Sequence, residues 1–221
     1  MIGAFMMIAF AVIMVLLFSP IIKGQNGLDY LDALYNSISK GSAYYIPAVK
    51  EETAGFKGTQ VDVTLETANS VIAEQTASLF MAAGAAVKVS ANQLQIKGDL
   101  GTIFQNCLED ADLMYHNNGQ QITSKYNGID ARQSLYNWYT AMKGMDKALK
   151  SQKKFVEAKA VVLIIQKAVE CSYNYYTIEP KNIADSLGVV IFSLIFYVIY
   201  TLWYGFSVLF LFEGWGLNLE H

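Results

Sequence analysis

The stretch LGVVIFSLIFYVIYTLWYGFSVLFLF, from Leu187 to Phe212, decides how this chain is organised. It contains no Lys, Arg, Asp, Glu or His, and about 20 apolar residues in helical form cross the ~30 Å hydrocarbon core of a bilayer. A second apolar run, Met1 to Ile22, stands at the opposite end, and all 16 Lys and Arg residues lie between the two. The pattern predicts an α+β membrane protein in which two transmembrane helices, at 1–22 and 187–212, flank one domain. Residues 213–221 read as a short tail, of which Leu219-Glu220-His221 is native or the start of a purification tag.

A secretory signal would also begin at residue 1, but it needs a charged start, a short apolar core and a small-residue cleavage site. Here no Lys or Arg precedes the apolar stretch, which is too long for such a core and runs into Ser19-Pro20-Ile21-Ile22-Lys23. A retained anchor is expected. Lys and Arg close to a span bias its orientation toward the cytoplasm, and Lys23, Lys40 and Lys181 all stand on the loop side. We therefore expect an integral protein of the bacterial inner membrane with its domain leaning cytoplasmic; the short tails leave the other side mechanically open.

Roughly 160 residues between the spans suffice for one compact domain with a real core. The net charge of −3, with acidic and basic residues interleaved, gives no basic face, so no nucleic-acid partner is expected. Cys107 and Cys171 lie far apart and outside any Cys-x-x-Cys spacing, which speaks against a zinc ribbon, a redox motif and c-type haem attachment. Free thiols are expected, with one disulfide as the alternative in an extracytoplasmic setting.

Along the chain, residues 23–58 read as a membrane-proximal amphipathic helix and loop. Gly24-Gln25-Asn26-Gly27 breaks the first span, and Leu28, Leu31, Leu34, Tyr35 and Ile38 then recur at helical spacing up to Gly41. Pro47 opens a further short helix that Gly55 ends. Residues 59–99 read as a small β-α-β-β unit. Val61, Val63 and Leu65 alternate with polar residues; a helix from about Asn69 to Ala83 turns Val71, Ile72, Leu79 and Phe80 inward and stops at Gly84. Val87 and Val89, then Leu94 and Ile96, form a hairpin about Ala91-Asn92.

Residues 100–183 read as the helical part of the same domain. Asp99 caps a helix to Tyr115, which Asn117-Asn118-Gly119 ends. A polar loop covers Gln120 to Gly128. Asp130 and Gln133, a capping-box pair, open a helix with the stripe Leu135, Trp138, Tyr139, Met142, Met145 and Leu149. Phe155, Val162, Ile165 and Val169 mark another helix, and a turn near Ser151-Gln152 is preferred to one long rod, which would leave Val161 to Ile165 in water.

Four sets of residues invite a functional reading. In the second span, Ser193, Tyr197, Tyr200, Thr201, Tyr204 and Ser207 share roughly one face, a contact surface for other transmembrane helices or merely for the first span. Tyr44, Tyr45, Tyr173, Tyr175 and Tyr176 form clusters near the spans in sequence, suited to a membrane-proximal interface. Glu109, Asp112 and His116 fall at i, i+3 and i+7, a weak metal-ligand set that a solvated helix face explains as well. Gly98 and Gly101 precede a helix start, but without a third glycine or a Lys they read as turn chemistry rather than a phosphate cradle. No catalytic residue, cofactor or metal is assigned.

No family is recognised in the residues. The layout resembles sensor proteins and chain-length regulators of polysaccharide export in architecture alone. The expected function is a non-catalytic accessory or scaffolding subunit of a bacterial membrane complex, partnered by the lipid bilayer and by an integral membrane protein or another copy of the chain. The alternative is a membrane-anchored ligand-binding or sensing module that modulates a partner.

Overall fold

The computed structural model describes residues 1–22 and 24–216; Lys23 and Leu219-Glu220-His221, used above, lie outside the described residues. In chain order the elements are α1 (Ile2–Phe18), α2 (Gly27–Ser42), α3 (Ile46–Thr53), β1 (Gln60–Glu66), α4 (Ser70–Ala82), β2 (Ala86–Ser90), β3 (Gln93–Asp99), α5 (Leu100–Tyr115), α6 (Gly119–Lys125), α7 (Ala131–Ser151), α8 (Phe155–Ile164), α9 (Glu170–Tyr175) and α10 (Leu187–Gly214). A π turn at Ile165–Val169 joins α8 to α9. The chain divides into two units, Met1–Ser42 with Glu179–His221, and Ala43–Ile178.

In the first unit, the helical stretch Ile183–Gly214 is long and apolar enough to cross a membrane, and among the described residues no other helix is. The expected first span is shorter than 1–22. α1 stops at Phe18, where Ser19 turns extended and Pro20 offers no N–H to continue. Its 17 residues reach about 25 Å at 1.5 Å per residue, some way short of the ~30 Å apolar core. α1 runs antiparallel to α10. Gly3 lies so close to the Phe210–Leu211 backbone that a Cβ would come 2.5 Å from Leu211 N; Trp203 Nε1 donates to Met6 O at 3.2 Å. α2 begins where Asn26 Oδ1 accepts from Asp29 N, buries Leu34, and continues through the expected stop at Gly41 to Ser42. Lys40, counted above as a flanking charge, is buried; burial lowers its pKa while Glu179 opposes the shift.

The second unit is built on the expected β-α-β-β pattern. Its three antiparallel strands lie in the order β1-β3-β2, with Val63 opposite Ile96 and Val87 opposite Ile96 on the other side. Period-two alternation buries Val61, Val63, Leu65, Leu94 and Ile96 and leaves Asp62, Gln95 and Lys97 to pair on the wet face. Two sequence expectations need correction. Val89 is 40% exposed, although its partner across the ladder, Leu94, is buried. Val71 is 60% exposed, whereas Ala73, Thr76, Ala77 and Phe80, at i, i+3, i+4 and i+7, make the inner face of α4. α7 packs over β1 at Gly144, whose missing side chain admits Leu65.

Helical layers complete the core. Phe56 meets Phe104 edge-on at 5.6 Å and Phe80 meets Trp138 at 5.1 Å. Residues 120–128 are not simply a polar loop: α6 forms there because Ile122 and Tyr126 anchor it in the core. Asp130 Oδ1 caps α7 as expected, but the Gln133 side chain bonds Asn137 instead of closing a capping box. α7 and α8 form the preferred αα-hairpin. Phe155 is 63% exposed, and Ala158, Val161, Ile164, Ile165, Ala168 and Val169 bury instead, the last five at the three-and-four spacing of a core-facing helix. Cys107 and Cys171 are free thiols.

The turn after α7 closes by Lys154 N bonding Leu149 O at 2.9 Å and Lys153 N bonding Lys150 O at 3.0 Å, a Schellman geometry that puts Lys153 at a φ of +61°. A Cβ in that region costs about 1 kcal/mol relative to glycine. Lys153→Gly is therefore expected to stabilise the protein by about that amount, read as a higher denaturant midpoint at unchanged slope.

Candidate functional site

The acidic face of α5 and the first tyrosine cluster come together. Asp112 Oδ1 accepts from Tyr44 OH at 2.7 Å and lies 3.2 Å from His116 Nδ1, while Oδ2 takes Lys50 Nζ at 2.9 Å. Burial pushes the Asp112 carboxyl up, but the bonds from Lys50 and Tyr44 and the nearby positive charge outweigh it and hold the group below its ordinary range. Burial and the bond to Asp112 push the Tyr44 phenol up to about 12. Glu109 accepts from Gln105 one turn away at 2.9 Å. Among the described residues no three His, Cys, Asp or Glu side chains gather to hold a metal. Tyr44 also packs on Tyr115 and His116 at 5.1 Å each, and Tyr175 continues the chain of rings beyond Tyr115. Tyr45 lies under Lys167 Nζ at 4.6 Å.

A second constellation lies in the core. Asp110, with no exposed surface, accepts from Lys125 Nζ at 2.7 Å, from Trp138 Nε1 at 2.7 Å and from Tyr126 OH. Asn106 ties the knot by accepting from Lys125 at 2.7 Å and donating to Tyr126 OH at 3.0 Å. Burial and the Asp110 charge raise the Tyr126 phenol far above its ordinary pKa, and burial does the same to the neighbouring Cys107 thiol. The buried carboxylate is thus bonded at both oxygens, with the Lys125 side chain reaching it from the surface. The sequence carried a signal for it: Asp110 falls on the same inner face of α5 as Ile103, Cys107 and Met114.

Tyr173 and Tyr176 belong to a different surface from Tyr175. Tyr176 covers Gly119, where a Cβ would collide with its hydroxyl, and lies beneath Arg132 at 5.3 Å. Tyr173 meets Tyr136 at 6.5 Å, and Tyr136 stacks on Tyr139 at 6.2 Å. These rings, with Val169, Glu170 and Asn174, line a groove of about 250 Å³ between α7 and α9. Sequence reasoning passed over Tyr136 and Glu170 and placed Tyr139 only in the apolar stripe of its helix, although Tyr136 and Tyr139 stand one helical turn apart.

Gly98 and Gly101 are not turn residues, since neither has positive φ. Both allow close approach: a Cβ on Gly98 would meet Ala85 at 2.9 Å, and one on Gly101 the Lys57 backbone at 2.5 Å.

In α10 the hydroxyl stripe divides. Tyr200 and Tyr204 lie 6.5 and 5.4 Å from the Phe10 ring of α1, Tyr204 remaining 50% exposed, and Ser207 is buried. Thr201 and Ser207 bond the carbonyls of Tyr197 and Trp203, one turn back; Ser193 bonds Val190 O and pairs with Tyr35 OH. Tyr197 remains 57% exposed. The chain matches no protein-family model, no curated protein and no solved structure with which it was compared.

Proposed function

We propose that the chain is a non-catalytic accessory subunit of a complex in a bacterial inner membrane, with α1 and α10 both in the bilayer and α10 docking an integral membrane partner or a second copy. Tyr197 carries this reading. It stands ten residues into α10, about 15 Å along the helix axis, and its hydroxyl has no hydrogen bond among the described residues. A phenol at that depth gains from an acceptor on another helix, typically by ~0.6–2 kcal/mol. α1 joins the hairpin because modest bilayer thinning accommodates a short span. The reading as non-catalytic draws support from the engaged state of the reactive groups: Asp110 and Asp112 are saturated, and Cys107 is buried with a raised pKa. The cytoplasmic side for the domain is supported by Lys181, which flanks α10 on the loop side.

Purification of the full chain from its native membrane in mild detergent tests the docking. The wild type is expected to bring down an integral membrane partner or a second copy in fixed ratio, and Tyr197→Phe, which removes only the hydroxyl, to reduce that yield about threefold or more. Equal recovery with both chains would overturn the role given to Tyr197.

A second reading, a membrane-anchored binding module, is favoured by one observation. The tyrosine-walled groove between α7 and α9 is a concave surface whose lining includes the Glu170 carboxylate, unpaired among the described residues.

A further inference from the structure

We propose that the groove between α7 and α9 is a binding site for a quaternary ammonium group, such as the trimethylammonium end of a choline-like molecule. The inference rests on the reading of the domain as a binding module and names the chemistry of its ligand. Three tyrosine rings surround the space, with Tyr136 6.2 Å from Tyr139 and 6.5 Å from Tyr173. Aromatic faces carry partial negative charge and attract cations within about 6 Å of the ring centre. Glu170 adds a formal charge: it is half-buried in the lining and makes no hydrogen bond or ion pair among the described residues.

The wall already attracts a cation. Lys143 Nζ sits 5.0 Å from the Tyr139 centroid and donates to its hydroxyl at 3.3 Å. Volume and polarity narrow the ligand further. About 250 Å³ falls below the ~300–1,000 Å³ of a site for a whole drug-sized molecule, so the groove suits one compact group. A primary ammonium needs three acceptors to replace its water, whereas a quaternary one has no N–H and is satisfied by ring faces and a single carboxylate. Anions are disfavoured by the same rings and by Glu170.

The test uses the full chain in a maltoside detergent, which has no choline group, titrated calorimetrically with tetramethylammonium chloride against ammonium chloride at equal ionic strength. Saturable binding of tetramethylammonium alone is expected. Glu170→Gln and Tyr136→Leu should each weaken it about tenfold, Tyr136→Phe should retain it, and Lys143→Ala should tighten it a few-fold by removing the competing cation. The proposal is overturned if the two salts titrate alike, or if Glu170→Gln and Tyr136→Leu chains with wild-type melting curves bind as the wild type does. Repeating the titration in nanodiscs of phosphatidylcholine and of phosphatidylglycerol identifies the source: competition by the former assigns a lipid headgroup, equal binding in both a soluble ligand. Failure here leaves docking through Tyr197 standing, since co-purification does not involve the groove.

Discussion

Asp110→Ala is expected to cost about 2–4 kcal/mol of stability, the effect of leaving two buried donors without their acceptor. The loss exceeds that of the carboxylate's own contacts. Removing it strands the buried Trp138 indole N–H and Tyr126 hydroxyl, which now converge on its oxygens, and each stranded donor adds a desolvation penalty; the Lys125 ammonium, bonded to it at 2.7 Å, is exposed enough to turn to water. Asp110→Asn keeps one acceptor oxygen and should lose less. Denaturant unfolding of the full chain in mild detergent, followed by near-ultraviolet circular dichroism, measures both. Tyr126→Phe combined with Asp110→Ala should then be non-additive by at least ~0.5 kcal/mol, as expected for members of one network. Simple additivity would mean that the donors do not share the carboxylate.

Gly101→Leu is expected to destabilise by about 3 kcal/mol, near the upper end for forcing extra volume into a packed site. The neighbour is backbone rather than a yielding side chain: a Cβ would come 2.5 Å from both Lys57 N and Lys57 Cα. Relief requires the Phe56–Gly58 segment to lift away, losing the edge contact of Phe56 with Phe104 and the bond from Gly58 N to Asp99. Gly101→Ala should show a smaller part of the same loss. A wild-type midpoint for the Leu variant would mean that the segment does not cross the helix where it is placed.

How well the sequence announced the fold depended on the range of each signal. β1, β3, α4, α5 and α7 were readable because hydrophobic period and caps are local: Val61, Val63 and Leu65 alternate, and Asn69, Asp99 and Asp130 each bond a backbone N–H in the first turn. Tertiary information was not. Nothing local distinguishes the exposed Val89 of β2 from the buried Val61 and Val63 of β1, and Ile122 helps anchor α6 only through the core that surrounds it. Among the candidate residues, the pairing of Tyr44 with Asp112 spans 68 positions in sequence, beyond any periodicity. The α10 stripe was found, but three of its six hydroxyls, on Ser193, Thr201 and Ser207, meet their need for a partner at carbonyls about one turn back. The Tyr136–Tyr139–Tyr173 groove escaped notice because two helices supply it.

The π turn at Ile165–Val169 has a bearing on that groove. A wide turn absorbs one residue more than the α pitch allows, so the helix beyond it keeps the face it would have had without the extra residue. Removing a single residue between 165 and 169 would close the bulge to ordinary α pitch and leave Tyr173 beside Tyr136, whereas removing one between the turn and Tyr173 would rotate that ring by about 100° and erase the third wall. Single-residue deletions are therefore tolerated by the pocket inside this five-residue window and not just beyond it.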